Sequence, residues 1–390
     1  MKTLILLLLS FITLAASAQP GLDNFLQLVE ENNQELQAAR KLSEAEKAGF
    51  QTELTPDNPT VEYGRFPGSN DAMGTKTIYG ISQSFDFPTV YGIRKKLANN
   101  RGELSDMEYQ VFRQDKLLEA KLKFYDYAFL LKQKAEYENR LEHSTRIYQS
   151  YQARFDQGNT SVLDVNKARI QNLMIKSNYQ LLLQSIESTL KELELLAGKE
   201  LTPQELPLLD DQELPPLGNI LDEIQGQQPE LRYLKQAQKI ADMNVKLARN
   251  NWLPNLEISY EGERAPDGTY RGLKAGVAIP LWKDKNKVQH AKAQALYETN
   301  RYNARIAAIL NETTNLYQQV KEYATIRDEY QQTLKESANV GFLDKALALG
   351  QMSVIEYFNE LAFYYETMDA YLEIEKSYYQ TMARLQAFQL

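Results

Sequence analysis

Hydrophobic positions along this chain follow two distinct periods. Over 22–53, Leu26, Val29, Leu36 and Ala39 recur at helical spacing and predict one helical segment, stopped by Pro56 and Pro59. Residues 220–252 repeat that pattern and end before Pro254. From about Tyr91 to Gln157 there is no proline, and glycine falls only in the first dozen residues. That stretch predicts a helix of ~60 residues, ~90 Å long at the usual rise. Its apolar residues form two stripes. Leu118, Leu122, Tyr125 and Phe129 make one; Ala120, Phe124, Tyr127 and Leu131 make another, ~200° round the helix. An ordinary surface helix has one apolar face. Two opposed faces suit a helix with neighbours on both sides, as in the wall of a tube, or the middle of a solid bundle.

The second period is two. It predicts strands at Asn58 to Tyr63, Tyr79 to Phe87, Leu253 to Tyr260 and Leu273 to Leu281. Val61 and Tyr63 share a face, as do Tyr79, Ile81, Phe85 and Phe87; their alternates are Glu62, Gly64, Gly80, Ser82, Ser84 and Asp86. In the later pair Leu256, Ile258 and Tyr260, then Leu273, Ala275, Val277, Ile279 and Leu281, alternate with Glu257, Ser259, Glu261, Lys274, Gly276 and Ala278. Large apolar residues on one side, with small and charged ones on the other, is the pattern of a membrane barrel. A soluble sheet on a core alternates in the same way. Arg65 and Gln83 fall on the apolar side and predict either a membrane interface or a register break.

The two periods occur in the same order twice. Glu35-Leu36 matches Glu230-Leu231 at 195 residues, as Pro59 matches Pro254, and Gly80 matches Gly276 at 196. Gly158-Asn159-Thr160-Ser161 through Asp164 matches Gly350-Gln351-Met352-Ser353 through Glu356 at 192. The chain therefore reads as a first repeat over 19–197, a proline-rich linker over 198–219 and a second repeat over 220–390. Each repeat is a helix, a β-hairpin (58–88 and 253–282) and a long helical hairpin with its tip near 158–161 or 350–353. Glycine suits the left-handed position just past a helix end. Ser161 and Ser353 are placed to cap the returning helices, about 162–197 and 354–388, with Asp164 and Glu356 at the third helical position of a capping box.

Composition narrows the setting. Lys2, the apolar runs Leu4 to Leu9 and Phe11 to Ala15, and Ala16-Ser17-Ala18 form a secretory signal peptide over 1–18. There is no cysteine, which excludes disulfides, thiolate metal sites and a lipidated cysteine anchor. A formal net charge of −8 disfavours nucleic acid as a partner. Mean hydropathy is −0.50, and no other stretch of ~18 apolar residues occurs. Any membrane crossing therefore falls to the strands, since only helices and closed barrels satisfy backbone groups in lipid. Four strands cannot close a barrel, for which about 8 are needed. A dimer would give about 8, which side chains fill, and a trimer about 12, which leave a passage; the long helices favour the trimer.

Catalytic chemistry is not apparent. His143 and His290, the only histidines, lie among polar neighbours without a partner at metal-ligand spacing and read as solvated. The eight methionines are scattered, and Asp210-Asp211 lies in the linker. No phosphate loop or nucleophile triad stands out. The expectation is no catalysis, no cofactor and no metal, with energy supplied by a partner.

The chain resembles the TolC family of outer-membrane efflux proteins over essentially all of its mature length. The resemblance rests on the duplication, Gln228-Pro229-Glu230-Leu231, Pro254-Asn255-Leu256, Gly276 to Trp282, and the tips Gly158 to Val165 and Gly350 to Tyr357. It implies a mainly helical homotrimer in the outer membrane of a Gram-negative bacterium. In such a trimer a 12-stranded β-barrel is continuous with an α-helical tunnel across the periplasm. The implied lipid-facing residues are Val61, Tyr63, Tyr79, Ile81, Phe85, Leu256, Ile258, Leu273, Val277 and Ile279. It further implies tips that dock, through Gly158, Ser161, Gly350 and Ser353, onto a periplasmic adaptor (membrane fusion protein) and an inner-membrane pump. By motif position Asp164 and Glu356, with Glu360 one turn on, would constrict the periplasmic entrance. Six carboxylates from Asp164 and Glu356 in a trimer would favour cations. The chain looks most like the branch associated with metal-cation efflux. It departs from the family in having Met352 and Leu347 where a closing network would use basic and tyrosine partners, and it ends soon after its last helix. The implied role is a passive exit duct for small molecules or metal cations. Duct service in type I polypeptide secretion and a soluble periplasmic coiled-coil scaffold are the alternatives.

Overall fold

The computed structural model describes residues 21–52, 54–69, 74–201, 213–282, 285–337 and 340–390. The leader at 1–18 and residues 202–212 of the proline-rich linker, Asp210-Asp211 among them, lie outside them. In chain order the elements are α1 (Leu22–Asn32), α2 (Gln34–Thr52), β1 (Thr60–Pro67), β2 (Thr75–Phe85) and α3 (Pro88–Asp156). They continue with α4 (Val162–Ala197), α5 (Leu217–Gln227), α6 (Pro229–Asn250), β3 (Asn255–Ala265), β4 (Gly268–Ala278), α7 (Lys287–Ser337), α8 (Val340–Ala348) and α9 (Val354–Leu385).

The single helices expected over 22–53 and 220–252 are each two helices. Asn33 and Gln228, one repeat apart, both adopt extended backbone, with ψ of 122° and 116°. Pro229 explains the second break, because the residue before a proline is pushed out of helical conformation. The first break has no proline. There the Asn33 amide donates to the Leu196 carbonyl at 2.9 Å, tying the bend to the end of α4. The second bend is held in a related way: Gln228 and Gln114 exchange amide hydrogen bonds, and Gln114 donates to the Ala387 carbonyl at 2.8 Å.

The chain forms two compact units, and neither coincides with one sequence repeat. The first combines the segment up to Asn33 with Leu117–Leu214 and Gln319–Ala383. Here both apolar stripes of α3 are covered. Phe124 stacks on Phe25 of α1 at 5.5 Å between ring centroids, while Tyr125 and Phe129 meet Tyr379 of α9 at 5.7 and 5.9 Å. Gly198 ends α4 at φ 65°, and a Cβ there would come within 2.6 Å of the Asn32 carbonyl oxygen. Glycine is thus required both by the backbone angle and by the close approach of α1.

The second unit combines Gln34–Lys116, Pro215–Gln318 and Arg384–Leu390. Its helices bury Leu36, Val90, Leu97, Leu231 and Leu234 and are also joined by polar links. Arg305 grips the Glu230 carboxylate through two bonds of 2.7 and 2.8 Å, and Gln236 donates to the Asn100 carbonyl and to Glu103. The same unit carries the sheet, antiparallel throughout, in the order β1-β2-β3-β4. The strands are longer at the hairpin ends than the alternation suggested, and β4 stops at Ala278, so Ile279 and Leu281 follow the strand.

Candidate functional site

Two places gather the residues singled out above, the tips of the helical hairpins and the sheet. At the first tip Gly158 takes φ 75°. Its N–H donates to the Phe155 carbonyl, and that of Asn159 to Arg154, both at 2.8 Å. At the second tip Gly350 takes φ 70°, with Gly350 N–H to Leu347 at 3.1 Å and Gln351 N–H to Ala346 at 2.8 Å. Both are Schellman closures, in which a left-handed glycine lets the last helical carbonyls be satisfied.

The caps that follow differ by one methylene. The Glu356 N–H donates to the Ser353 hydroxyl at 3.3 Å, and the Ser353 N–H donates back to the Glu356 carboxylate at 2.7 Å, a complete capping box. The Ser353 N–H, with the Ser353 hydroxyl second, holds the Glu356 carboxyl below the usual carboxylate range. Asp164 accepts instead from the Ser161 hydroxyl at 2.8 Å and the Thr160 hydroxyl at 3.4 Å, while its N–H donates to Ser161 Oγ. Glu356 therefore completes its cap, Asp164 instead holds the hydroxyl of the capping serine, and Glu360 is exposed on α9. Behind the caps the two hairpins share an apolar core of Tyr151, Val165, Ala168, Leu347, Val354 and Tyr357, with Met352 packed against it. Leu347 and Met352 are thus wedged between helices.

A polar cluster adjoins this core, and it corrects the reading of His143 as solvated. His143 is 7% exposed. Its Nε2 lies 2.8 Å from both the Asp344 carboxylate and the Tyr357 hydroxyl, and Tyr357 donates to Asp344 at 2.6 Å. Burial raises the Asp344 carboxyl, but bonds from Tyr357 and His143 outweigh it and leave it below its ordinary value. Burial, with Asp344 second, pushes the Tyr357 phenol upward. One turn before His143 on the same face of α3, Arg140 forks onto Asp369 at 2.7 and 3.0 Å, sandwiched between the Tyr137 and Tyr365 rings. The legible signal was the stripe itself: Arg140, His143, Ser144, Ile147 and Tyr151 recur at helical spacing, and its last two members are apolar. His290 is exposed, as expected.

In the sheet the register resolves which residues share a face. Val61 pairs with Ile81, Ile81 with Tyr260 and Tyr260 with Leu273, one continuous apolar rung. Tyr63 and Tyr79 form the next rung, where the Tyr79 ring covers Gly262 so closely that a Cβ would lie 2.3 Å from it. Phe85, Leu256 and Val277 form another, and Ile258 pairs with Gln83 and Ala275. Most of this face is open: Leu273 is 83% exposed, Val61 74% and Tyr63 73%. The opposite face carries Glu62, Ser82, Ser84, Glu257, Ser259, Glu261 and Lys274, with Lys274 bonded to Glu261 at 3.1 Å. There is no register break at either dissenting residue. Arg65 pairs with Thr77 near the hairpin end, and Gln83, two residues from the end of β2, turns its amide to the Asp57 carbonyl at 2.6 Å.

Among the described residues no helix is long and apolar enough to cross a membrane, and no cluster of His, Cys, Asp or Glu is arranged to hold a metal ion. Residues 25–199 match the family described as outer membrane efflux protein. No curated protein matches the chain in sequence. In fold it is similar to a membrane protein from Pseudomonas aeruginosa (TM-score 0.79, 13% identity, 94% of this chain and 89% of that one). It is also similar to the Campylobacter jejuni CmeC outer membrane channel (TM-score 0.77, 15% identity, 94% and 85%). A third likeness is to the open state of the Neisseria gonorrhoeae MtrE outer membrane channel (TM-score 0.73, 12% identity, 95% and 89%). The fold, mainly helical with a small antiparallel sheet, is that of these channels, and the family match over 25–199 supports efflux and an outer-membrane location.

Proposed function

We propose that this chain is one subunit of a TolC-like outer-membrane channel, the passive exit duct of an efflux system. The single observation that carries the reading is the sheet. It has a bare apolar face, a polar opposite face, and two strands, β1 and β4, paired on one side only. Unpaired edges and exposed apolar surface are costly in water. In a homotrimer the edges pair with neighbouring subunits, 12 strands close around a passage, and the bare face meets lipid. The lipid-facing set is then Val61, Tyr63, Tyr79, Ile81, Phe85, Leu256, Ile258, Leu273 and Val277, with Ile279 at the border. Both tryptophans support that placement. Trp252 lies just before β3 and Trp282 just after β4, 48% and 80% exposed, and tryptophan favours the membrane–water interface.

The helices carry the passage through the periplasm to tips that meet an adaptor and an inner-membrane pump. Gly158, Ser161, Gly350 and Ser353 shape the contact, and Asp164, Glu356 and Glu360 line the entrance. The cargo is small molecules or metal cations driven by the pump. The test is conductance in planar lipid bilayers of the purified protein. Discrete cation-preferring channels are expected, with the preference reduced in Asp164→Ala/Glu356→Ala. A protein that never conducts would contradict the duct and favour a periplasmic scaffold. Channels whose selectivity the double variant leaves unchanged would leave the two acids as parts of the tip turns alone.

A further inference from the structure

The apolar face of the sheet carries charge in one place only. Of the charged strand residues, Glu62, Glu257, Glu261, Glu263, Lys76 and Lys274 all lie on the polar face, where Lys76 pairs with Glu263 at 2.7 Å. The apolar face holds Arg65, Arg264 and Arg271 and no carboxylate. All three are exposed and all sit at the hairpin end. Arg65 and Arg264 share a rung with Thr77 between them, which puts their Cα atoms ~10 Å apart at the usual strand spacing. Arg271 stands one rung in on β4, diagonal to Arg264 at ~7–8 Å. The turn between β3 and β4 carries one acid, Asp267.

The face also changes character at this point. Beyond the tyrosine rung it becomes Arg65, Thr77, Arg264 and Thr269, while apolar Phe66, Ile78 and Tyr270 appear on the opposite face. From Leu256 to Arg264 along β3 is ~26 Å, comparable to the apolar band of a membrane strand. The arginines therefore stand where headgroups begin. Guanidinium groups bind phosphate oxygens through paired N–H donors, which lysine does not match.

Resting on the membrane placement above, we propose that Arg65, Arg264 and Arg271 form a binding site for the headgroup of a lipid that carries more than one phosphate. Three arginines whose Cα atoms span ~16 Å across the four strands exceed what a single phosphate engages, so a multiply phosphorylated headgroup is the matching ligand.

The test is equilibrium binding of labelled diphosphoryl lipid A to the full-length, detergent-solubilised protein. Phosphatidylglycerol and inorganic phosphate serve as competitors, and insertion into phosphatidylcholine vesicles is measured in parallel. Wild type should bind, and each Arg→Gln change should weaken binding about tenfold. Arg65→Gln/Arg264→Gln/Arg271→Gln should abolish it while still inserting, and Lys76→Gln/Lys274→Gln on the opposite face should bind as wild type does. If the triple variant fails to insert, Arg65→Lys/Arg264→Lys/Arg271→Lys replaces it, and undiminished binding by that variant overturns the guanidinium assignment. Wild type that inserts yet binds no better than the triple variant overturns the proposal and leaves the membrane placement standing. Displacement by inorganic phosphate at an equal concentration of phosphate groups, or by phosphatidylglycerol at equal lipid, also overturns it. Wild type that inserts into no vesicle overturns the membrane placement itself.

Discussion

The packed helices around Phe124 and the sheet around Leu273 use similar side chains to opposite ends. Phe124 is 1% exposed and Tyr127 2%, enclosed by helices of the same chain. Leu273 and Val61 are 83% and 74% exposed, although nothing in their chemistry is less apolar. Apolar surface enclosed by its own chain contributes to stability directly, at about 25 cal/mol per Å². Apolar surface left open contributes only when something outside the chain covers it. The packing around Phe124 is thus complete within one chain, whereas on the reading proposed above the face around Leu273 is covered by lipid.

That contrast can be broken by truncation. Phe124→Ala should cost about 3–5 kcal/mol in thermal or denaturant unfolding in detergent, because it opens a cavity against Phe25. Leu273→Ala in the same assay should fall within about 0.5 kcal/mol of wild type. A large loss at Leu273 and none at Phe124 would invert the assignment of the two regions.

The polar interior of the helical region sharpens the same point. Asp369→Ala strands the Arg140 guanidinium, whose side chain is 4% exposed, without its carboxylate. Removal of one partner from a fully buried pair costs about 3–5 kcal/mol; with Asp369 41% exposed, about 2–3 kcal/mol is expected from equilibrium unfolding. A neutral result would mean that the pair is as dispensable as a surface ion pair.

Smaller still is the cap. Ser353→Ala removes the acceptor for the Glu356 N–H and should cost about 1 kcal/mol, seen as faster amide exchange at the start of α9. Ser161→Ala should loosen α4 similarly and also release Asp164, which accepts from the hydroxyl it deletes. Unchanged exchange at both sites would show that the apolar tip core alone holds the turns.

Features encoded locally were legible in the sequence. The glycine tips, their serine caps, the two apolar stripes of α3 and the alternating faces of the strands all arise within a few residues of one another. Pro229 likewise marks the second helix break, although the 3.6-residue pattern runs through it and reads as a single helix. The break at Asn33 was not legible, because its cause is a carbonyl 163 residues away. His143 was misread for the same reason, with Asp344 201 and Tyr357 214 residues distant. The strand ends were underestimated because Phe66, Ile78 and Tyr270 reverse the alternation near the hairpins. That reversal is informative only once the register is known.

The central claim is that the bare face of the sheet meets lipid, and adjacent residues of β2 test it most directly. Ile81 lies on the apolar rung with Val61, Tyr260 and Leu273, and Ser82 points to the polar face. An arginine facing the bilayer midplane costs about 2–4 kcal/mol per site, repeated in every subunit of an oligomer. The measurement is the amount of heat-stable oligomer recovered from outer-membrane fractions. Ile81→Arg should abolish it while Ser82→Arg assembles as wild type does. Equal recovery of the two variants would contradict the account.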